Sequence, residues 1–95
     1  MDDIIITTGD LKIDYEVIDA VFALDSCKEG ILWGADPSKA FEKVKNKLRK
    51  KCKELDGDAV INCQFEYRYT DTINTFNVDK EVVEIFAYGT AVYFI

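Results

Sequence analysis

The stretch LDGDAVINCQFEYRYT, Leu55 to Thr70, decides how this chain folds. It leaves a basic, helix-patterned segment at Leu55, breaks at Gly57 and alternates from Ala59 onward. Ala59, Ile61, Cys63, Phe65, Tyr67 and Tyr69 form one row; Val60, Asn62, Gln64, Glu66 and Arg68 form the other. A period of two with one apolar row is an amphipathic β-strand. Cys63 falls in the apolar row, so the pattern makes it a small hydrophobe filling space under a covering layer.

That layer lies just upstream. Asp36-Pro37 opens a helix: Asp is a favoured N-cap, and Pro fits the first helical position because its missing N–H costs nothing there. Ala40, Phe41, Val44, Leu48, Cys52 and Leu55 then recur at steps of one, three or four residues, and from Phe41 onward they follow one helical face. Gly57 supplies the stop. A helix from Pro37 to about Asp56 is about 30 Å long. It matches a strand of nine or ten residues at ~3.3 Å each.

Working outward, DDIIITT at residues 2–8 is β-branched and reads as a short strand, with Gly9-Asp10 as the breaker. YEVIDAVFAL, Tyr15 to Leu24, is a second strand, and after Asp19 both of its faces are apolar. DSCKEGILWGADP reads as a loop that holds Cys27 and Trp33. Downstream, TDTINTFNVD is a polar hairpin connection. KEVVEIFAYGTAVYFI is a long final strand whose Gly89 signals a bulge or a close backbone contact. The order β-β-α-β-β over one domain, residues 1–95, predicts an α+β two-layer subunit: an antiparallel sheet with one long helix on one face. One helix covers one face. Phe22, Phe86 and Val92, on strands apolar on both sides, are therefore expected to need a second copy of the chain as cover.

Composition narrows the function. Ninety-five residues with Lys+Arg 12 and Asp+Glu 18 give a net charge of −6, which favours neither nucleic acid nor anionic membranes. No apolar run is long enough to span a bilayer, and MDDIIITT has acids where a leader needs bases. The expected setting is the cytoplasm, where three cysteines stay reduced. His is absent, which removes the commonest general base and the commonest neutral metal ligand.

Candidate sites are few. Cys27, Cys52 and Cys63 have no CxxC spacing; Cys52 and Cys63 sit in apolar rows, which leaves Cys27 as the one candidate metal ligand. Asp2, Asp3, Asp56 and Asp58 match no carboxylate loop motif. Residues 37–56 carry eight bases and three acids, a net of +5, and the remainder carries four and fifteen, a net of −11. Such a helix is either a solvated face or a contact with an acidic neighbour or an anionic ligand. Phe65, Tyr67, Arg68 and Tyr69 resemble a stacking platform, but most of them share the core row. Trp33, between Leu32 and Gly34, reads as a plug over the core edge.

Three segments carry a family resemblance: the N-terminal IIITT with YEVIDAVFAL, the charged helix running into LDGDAVINCQFEY, and the C-terminal EIFAYGTAVYFI. Together they resemble the YbjQ-like family of small bacterial and archaeal proteins, which carry a heavy-metal-binding label without a settled biochemical role. The resemblance implies a β-β-α-β-β subunit assembled into a ring, a homopentamer. The chain departs from the family pattern at AVFALDSC, in its basic helix and at Asn62-Cys63. The expected function is a ring-forming, non-catalytic structural or ligand- and ion-binding module. The alternatives are heavy-metal binding by cysteine or carboxylate groups between subunits, and an enzyme with a carboxylate site at an interface. No catalytic residue and no cofactor are assigned; the partner is the chain itself.

Overall fold

The computed structural model describes residues 3–28, 37–73 and 79–95. Its elements are β1 (Ile5–Ile6), β2 (Tyr15–Lys28), α1 (Pro37–Glu54), β3 (Ala59–Ile73) and β4 (Asp79–Phe94). They form a four-stranded sheet in the order β1-β3-β4-β2, with α1 packed on one face. The fold is α+β, as the patterns require.

Three strands pair as antiparallel neighbours, with β4 in the centre between β3 and β2. β1 differs from expectation. It is two residues long rather than seven, and it pairs parallel with β3, Ile5 opposite Ala59. It lies on the edge remote from β2, so the two are not hairpin partners and nothing forces them antiparallel. β2 is also longer than expected and includes Cys27, which pairs with Val83 instead of lying in a loop. Pairing along β4 carries Asp25 and Ser26, both poor strand formers, into the ladder.

β3 contains the feature that reorganises the core. Register shifts between Ile61 and Gln64, and Asn62 takes φ 52°, a left-handed conformation. This is a β-bulge, and it reverses the alternation. Val60 and Cys63 point under the helix, while Ala59 and Ile61 point to the other face. The single row expected from Ala59 to Tyr69 is therefore split. Gly89 sits across from the bulge. A Cβ there would come within 2.8 Å of both Cys63 Sγ and Val60 Cγ1.

The core under α1 joins Ala40, Val44, Leu48 and Cys52 to Val21, Ala23, Val60, Cys63, Ile85, Ala87 and Ala91. Cys63 is 1% exposed, so it fills space under the helix. A smaller cluster on the opposite face joins Ala59, Ile61 and Val92 to Leu11, Tyr15 and Phe94. Val92 is 0% exposed. Its own chain covers it, because Leu11 and Tyr15 pack across that end of the sheet; the expectation that a second copy must do so is corrected.

The helix stops by a Schellman arrangement: Gly57 N donates to Cys52 O at 2.9 Å and Asp56 N to Lys53 O at 3.0 Å. The left-handed residue is Asp56 (φ 59°), not Gly57. Gly57 is required for space, since a Cβ there would lie 2.6 Å from Cys52 Sγ. The N-cap expected at Asp36 lies outside the described residues, as do Trp33 and Gly34.

Candidate functional site

Helix and strands differ in length. The 18 residues of α1 span about 27 Å, whereas strands of 14 to 16 residues span about 50 Å. The chain is accordingly long, with extents of 55 × 22 × 19 Å. Its radius of gyration is 16.0 Å, against about 12 Å for a compact chain of this size. One helix covers one face of part of this sheet.

The uncovered face carries the candidate site. On β2 and β4, Phe22 stands opposite Tyr88 and Leu24 opposite Phe86. Their exposures are 58% for Phe22, 40% for Tyr88, 51% for Leu24 and 36% for Phe86. Phe22 and Phe86 rings lie 6.2 Å apart, and Phe86 and Tyr88 rings 5.6 Å apart. These are the contiguous aromatic contacts of one patch, not scattered surface residues. On the same face β3 is polar, with Gln64, Glu66 and Arg68, and Arg68 is held to Glu84 at 2.9 Å. An open hollow of about 670 Å³ adjoins the patch, lined by Leu24, Phe65, Glu66, Tyr67, Arg68, Glu84 and Phe86. Its volume falls in the range of small-molecule sites.

The basic helix separates into two sets of cations. Lys47 Nζ donates to Leu24 O at 2.8 Å, and Lys51 Nζ donates to Phe22 O. These carbonyls belong to the outer edge of β2, so the two lysines, one helical turn apart, occupy acceptors that a foreign strand would use. Lys51 Nζ also stands 4.3 Å from the Phe22 ring centroid. Arg49 binds Ile4 O, and Lys45 pairs with Glu42. Lys39, Lys43, Lys50 and Lys53 are exposed, and no hydrogen bond or ion pair holds them among the described residues. Sequence reasoning treated the eight bases as one charged face and missed the edge-binding pair. Its signal was the i, i+4 spacing of Lys47 and Lys51 beside the buried face.

The expected metal donors do not converge. Cys52 and Cys63 are free thiols in the core. Burial pushes both thiols up from their ordinary value, and for Cys52 the charge of Asp58 adds to this, so both resist becoming thiolate. Cys52 Sγ donates to Ala59 O and Cys63 Sγ to Val60 O. The Cys27 side chain lies outside the described residues. Among the described residues no three His, Cys, Asp or Glu side chains are grouped to hold an ion. Among the described residues Asp25 Oδ2 is buried without a hydrogen-bond partner, but the cation Lys47, 3.5 Å from Asp25 Oδ1, stands beside that carboxylate. The described donor set does not fit a metal. Asp2 lies outside the described residues. No described helix is long and apolar enough to cross a membrane. Of the expected stacking platform, Phe65 is taken up by Phe41, at 4.6 Å between ring centroids; the Tyr69 side chain lies outside the described residues.

A bulged, three-stranded antiparallel core with a short parallel edge strand and one covering helix defines a class of small α+β proteins with one greasy sheet face left open. Within that class the chain belongs to the YbjQ family, described as "Putative heavy-metal-binding", whose model matches residues 36–95. That span includes Cys52 and Cys63 and excludes Cys27. A solved structure with the same fold is a protein of unknown function of the DUF74 family from Pediococcus pentosaceus. It is 24% identical, with a TM-score of 0.71, over 97% of this chain and 98% of that one. No curated protein matches the chain.

Proposed function

We propose that this protein is a non-catalytic module that works as an assembly of its own copies. The observation that carries the reading is the patch of Phe22, Leu24, Phe86 and Tyr88, uncovered by the chain's own helix. Leaving such a patch in water is costly at about 25 cal/mol per Å² of apolar surface, and burying it against another copy recovers that cost. The excess length of the strands over the helix supports the same reading, because it gives each copy material that reaches beyond its own core. A ring is the form proposed, and five copies the size, on the family resemblance. A small ligand or ion would then sit at the junctions, where the hollow beside Leu24 and Glu66 would gain a second wall. The cytoplasm is the proposed setting, because both buried thiols are free.

The test is native mass spectrometry and sedimentation velocity of the full chain, with Leu24→Glu as the variant. Leu24 is half exposed, so the change leaves the fold intact while placing a charge in the patch. The expected result is a discrete oligomer for the parent chain and a monomer for Leu24→Glu. A parent chain that is monomeric at about 100 μM, well above the Kd of a stable complex, overturns the reading.

The family description favours a second reading, heavy-metal capture between subunits through Cys27 or carboxylates. Elemental analysis of the same preparation tests it. Stoichiometric zinc or copper that disappears in Cys27→Ser supports it, and a metal-free oligomer rejects it.

A further inference from the structure

We infer that the hollow on the open sheet face binds a small organic cation, a quaternary or alkylated ammonium laid on aromatic rings beside a single free carboxylate. The inference rests on the assembly reading for the hollow's second wall and names the ligand class; the rings and the charge belong to each copy. Directly opposed residues of paired strands share a face, with Cβ atoms about 5 Å apart. One row across the sheet is therefore Glu66 on β3, Phe86 on β4 and Leu24 on β2. The neighbouring row is Gln64, Tyr88 and Phe22. Three rings thus form a floor, and a carboxylate stands at its β3 side.

The rings meet at a tilt, 39° between Phe22 and Phe86 and 43° between Phe86 and Tyr88. Tilted rings do not consume each other's faces, and all three stay exposed. The negative face of a ring attracts a cation, and the attraction grows as water is excluded. The chain itself makes this contact once, since Lys51 Nζ stands 4.3 Å from the Phe22 ring centroid. Lys51 is committed to the outer edge of β2, where it donates to Phe22 O. That edge is two strand spacings, roughly 10 Å, from β3, and the carboxylate beside Phe86 is left without this cation.

Charge selects the ligand. Arg68 sends Nε and Nη2 to the same Glu84 oxygen, at 3.1 and 2.9 Å, so these two charges cancel. Glu66 has no hydrogen bond or ion pair among the described residues. It is the uncompensated charge of a lining otherwise made of Leu24, Phe65, Tyr67, Phe86 and the Arg68–Glu84 pair. An anion would face that carboxylate and the chain's net −6, and a neutral ligand would leave the carboxylate unused. A small hydrated metal ion needs several oxygen ligands in place of its water, and the hollow offers one free carboxylate among rings. An organic cation spreads its charge over apolar groups, which suits rings on one side and a carboxylate on the other. The volume of about 670 Å³ admits a molecule of this kind.

The experiment titrates the full chain with two probes, choline and its neutral isostere neohexyl alcohol, in which carbon replaces the ammonium nitrogen. Ligand-observed NMR at matched ionic strength gives both Kd values, and sedimentation of the same samples gives the oligomeric state. The expected result is that the parent chain binds choline at least about fivefold more tightly than the isostere. Glu66→Gln and, separately, Phe86→Leu should bring the two probes within about twofold of each other. Glu54→Gln, an exposed acid on α1, should keep the full preference. Circular dichroism confirms that each variant is folded. Choline also heads a lipid: capture of phosphatidylcholine vesicles that free choline displaces assigns the site to that headgroup, and no capture assigns it to the free cation. A parent chain that binds both probes equally, or neither, overturns the cation site; if that chain is oligomeric, the assembly reading stands. A preference that survives in both Glu66→Gln and Phe86→Leu also overturns it, by placing the cation elsewhere. A monomeric parent that shows the preference and loses it in these variants upholds the cation site and removes the assembly reading.

Discussion

Both faces of β4 are largely apolar between Ile85 and Val92, yet the helix covers one and leaves the rings of the other exposed. Toward the helix it presents Ile85, Ala87, Gly89 and Ala91; toward the other side it presents Phe86, Tyr88 and Val92. β2 repeats the division, with Val21 and Ala23 inward and Phe22 and Leu24 outward. Hydropathy does not separate the faces, but side-chain size does. Alanines and a glycine let α1 approach the sheet closely enough for Leu48 and Val44 to be fully buried. Rings at these β2 and β4 positions, directly beneath Val44 and Leu48, would hold the helix away; the one ring on the covered side, Phe65 on β3, stacks on Phe41 instead. The outer face keeps the rings, because its own helix does not cover it. On β2 and β4 the face with the smaller residues is the one that the helix covers.

The comparison is broken most directly by removing a large residue from the covered face. Leu48 is 0% exposed and reaches into the small-residue surface of β2 and β4. Leu48→Ala should lower unfolding free energy by about 2–5 kcal/mol, through lost burial and the cavity left behind. Urea denaturation measures it. A loss below about 1 kcal/mol would mean that α1 is not the element that holds the sheet.

A smaller effect tests why the residues on that face must be small. In Gly89→Ala the new methyl would meet Cys63 Sγ and Val60 Cγ1 at 2.8 Å and the Ile61 carbonyl oxygen at 3.0 Å. The oxygen belongs to the bulge backbone and cannot swing aside. Overpacking of this kind costs about 1–3 kcal/mol, or roughly 4–20 °C in Tm for a domain of this size. Calorimetry of Gly89→Ala and of Gly9→Ala separates the two glycines. Gly9 has only Thr7 Oγ1 near its added carbon, at 4.0 Å, and should tolerate the change.

Much of this was legible in the residues. The helix, the order of elements along the chain and the role of Cys63 follow from spacing, and Gly89 announced a close approach, whereas the parallel edge place of β1 did not show in the residues. The split of the β3 row was not legible. Asn62 is unremarkable as a residue of the polar row, and its left-handed turn shows only where the β3–β4 register slips and its N–H donates to Gly9 O instead. The same holds for Asp25 to Lys28, whose strand conformation comes from pairing with β4 and not from their own propensity. Val92 was misjudged because its cover comes from Leu11 and Tyr15, on the far side of a turn that carries no packing signal. The aromatic patch was foreseeable as an excess of apolar surface; its division by size was not, until the helix had chosen a face.

The covered face also sets a pH response. Burial holds the Cys52 and Cys63 thiols above their ordinary value of 9.0 in the folded chain. As pH rises past about 9 the unfolded chain loses these protons while the native one keeps them. The unfolded state then binds fewer protons, so stability falls with rising pH and is unaffected below that point. Melting curves from pH 7 to about 10.5 should show a steeper decline for the parent than for Cys52→Ala/Cys63→Ala. Equal slopes would place both thiols in contact with water.

The smallest expected effect on folding tests the outer face. Phe22 is as large as any core residue, yet 58% of it is exposed, and its contacts are the Phe86 ring and the Lys51 ammonium. At concentrations where copies are separate, Phe22→Ala should cost less than about 1 kcal/mol, the scale of an aromatic pair or an exposed cation–π contact. At concentrations where copies associate, the same substitution should cost much more, because apparent stability then includes the lost assembly. Chemical denaturation at two protein concentrations gives both numbers from one variant. A loss that is small at both concentrations would mean the aromatic face is simply wet. A loss that is large at both would mean the chain folds over Phe22 after all, and the contrast between the two faces would vanish.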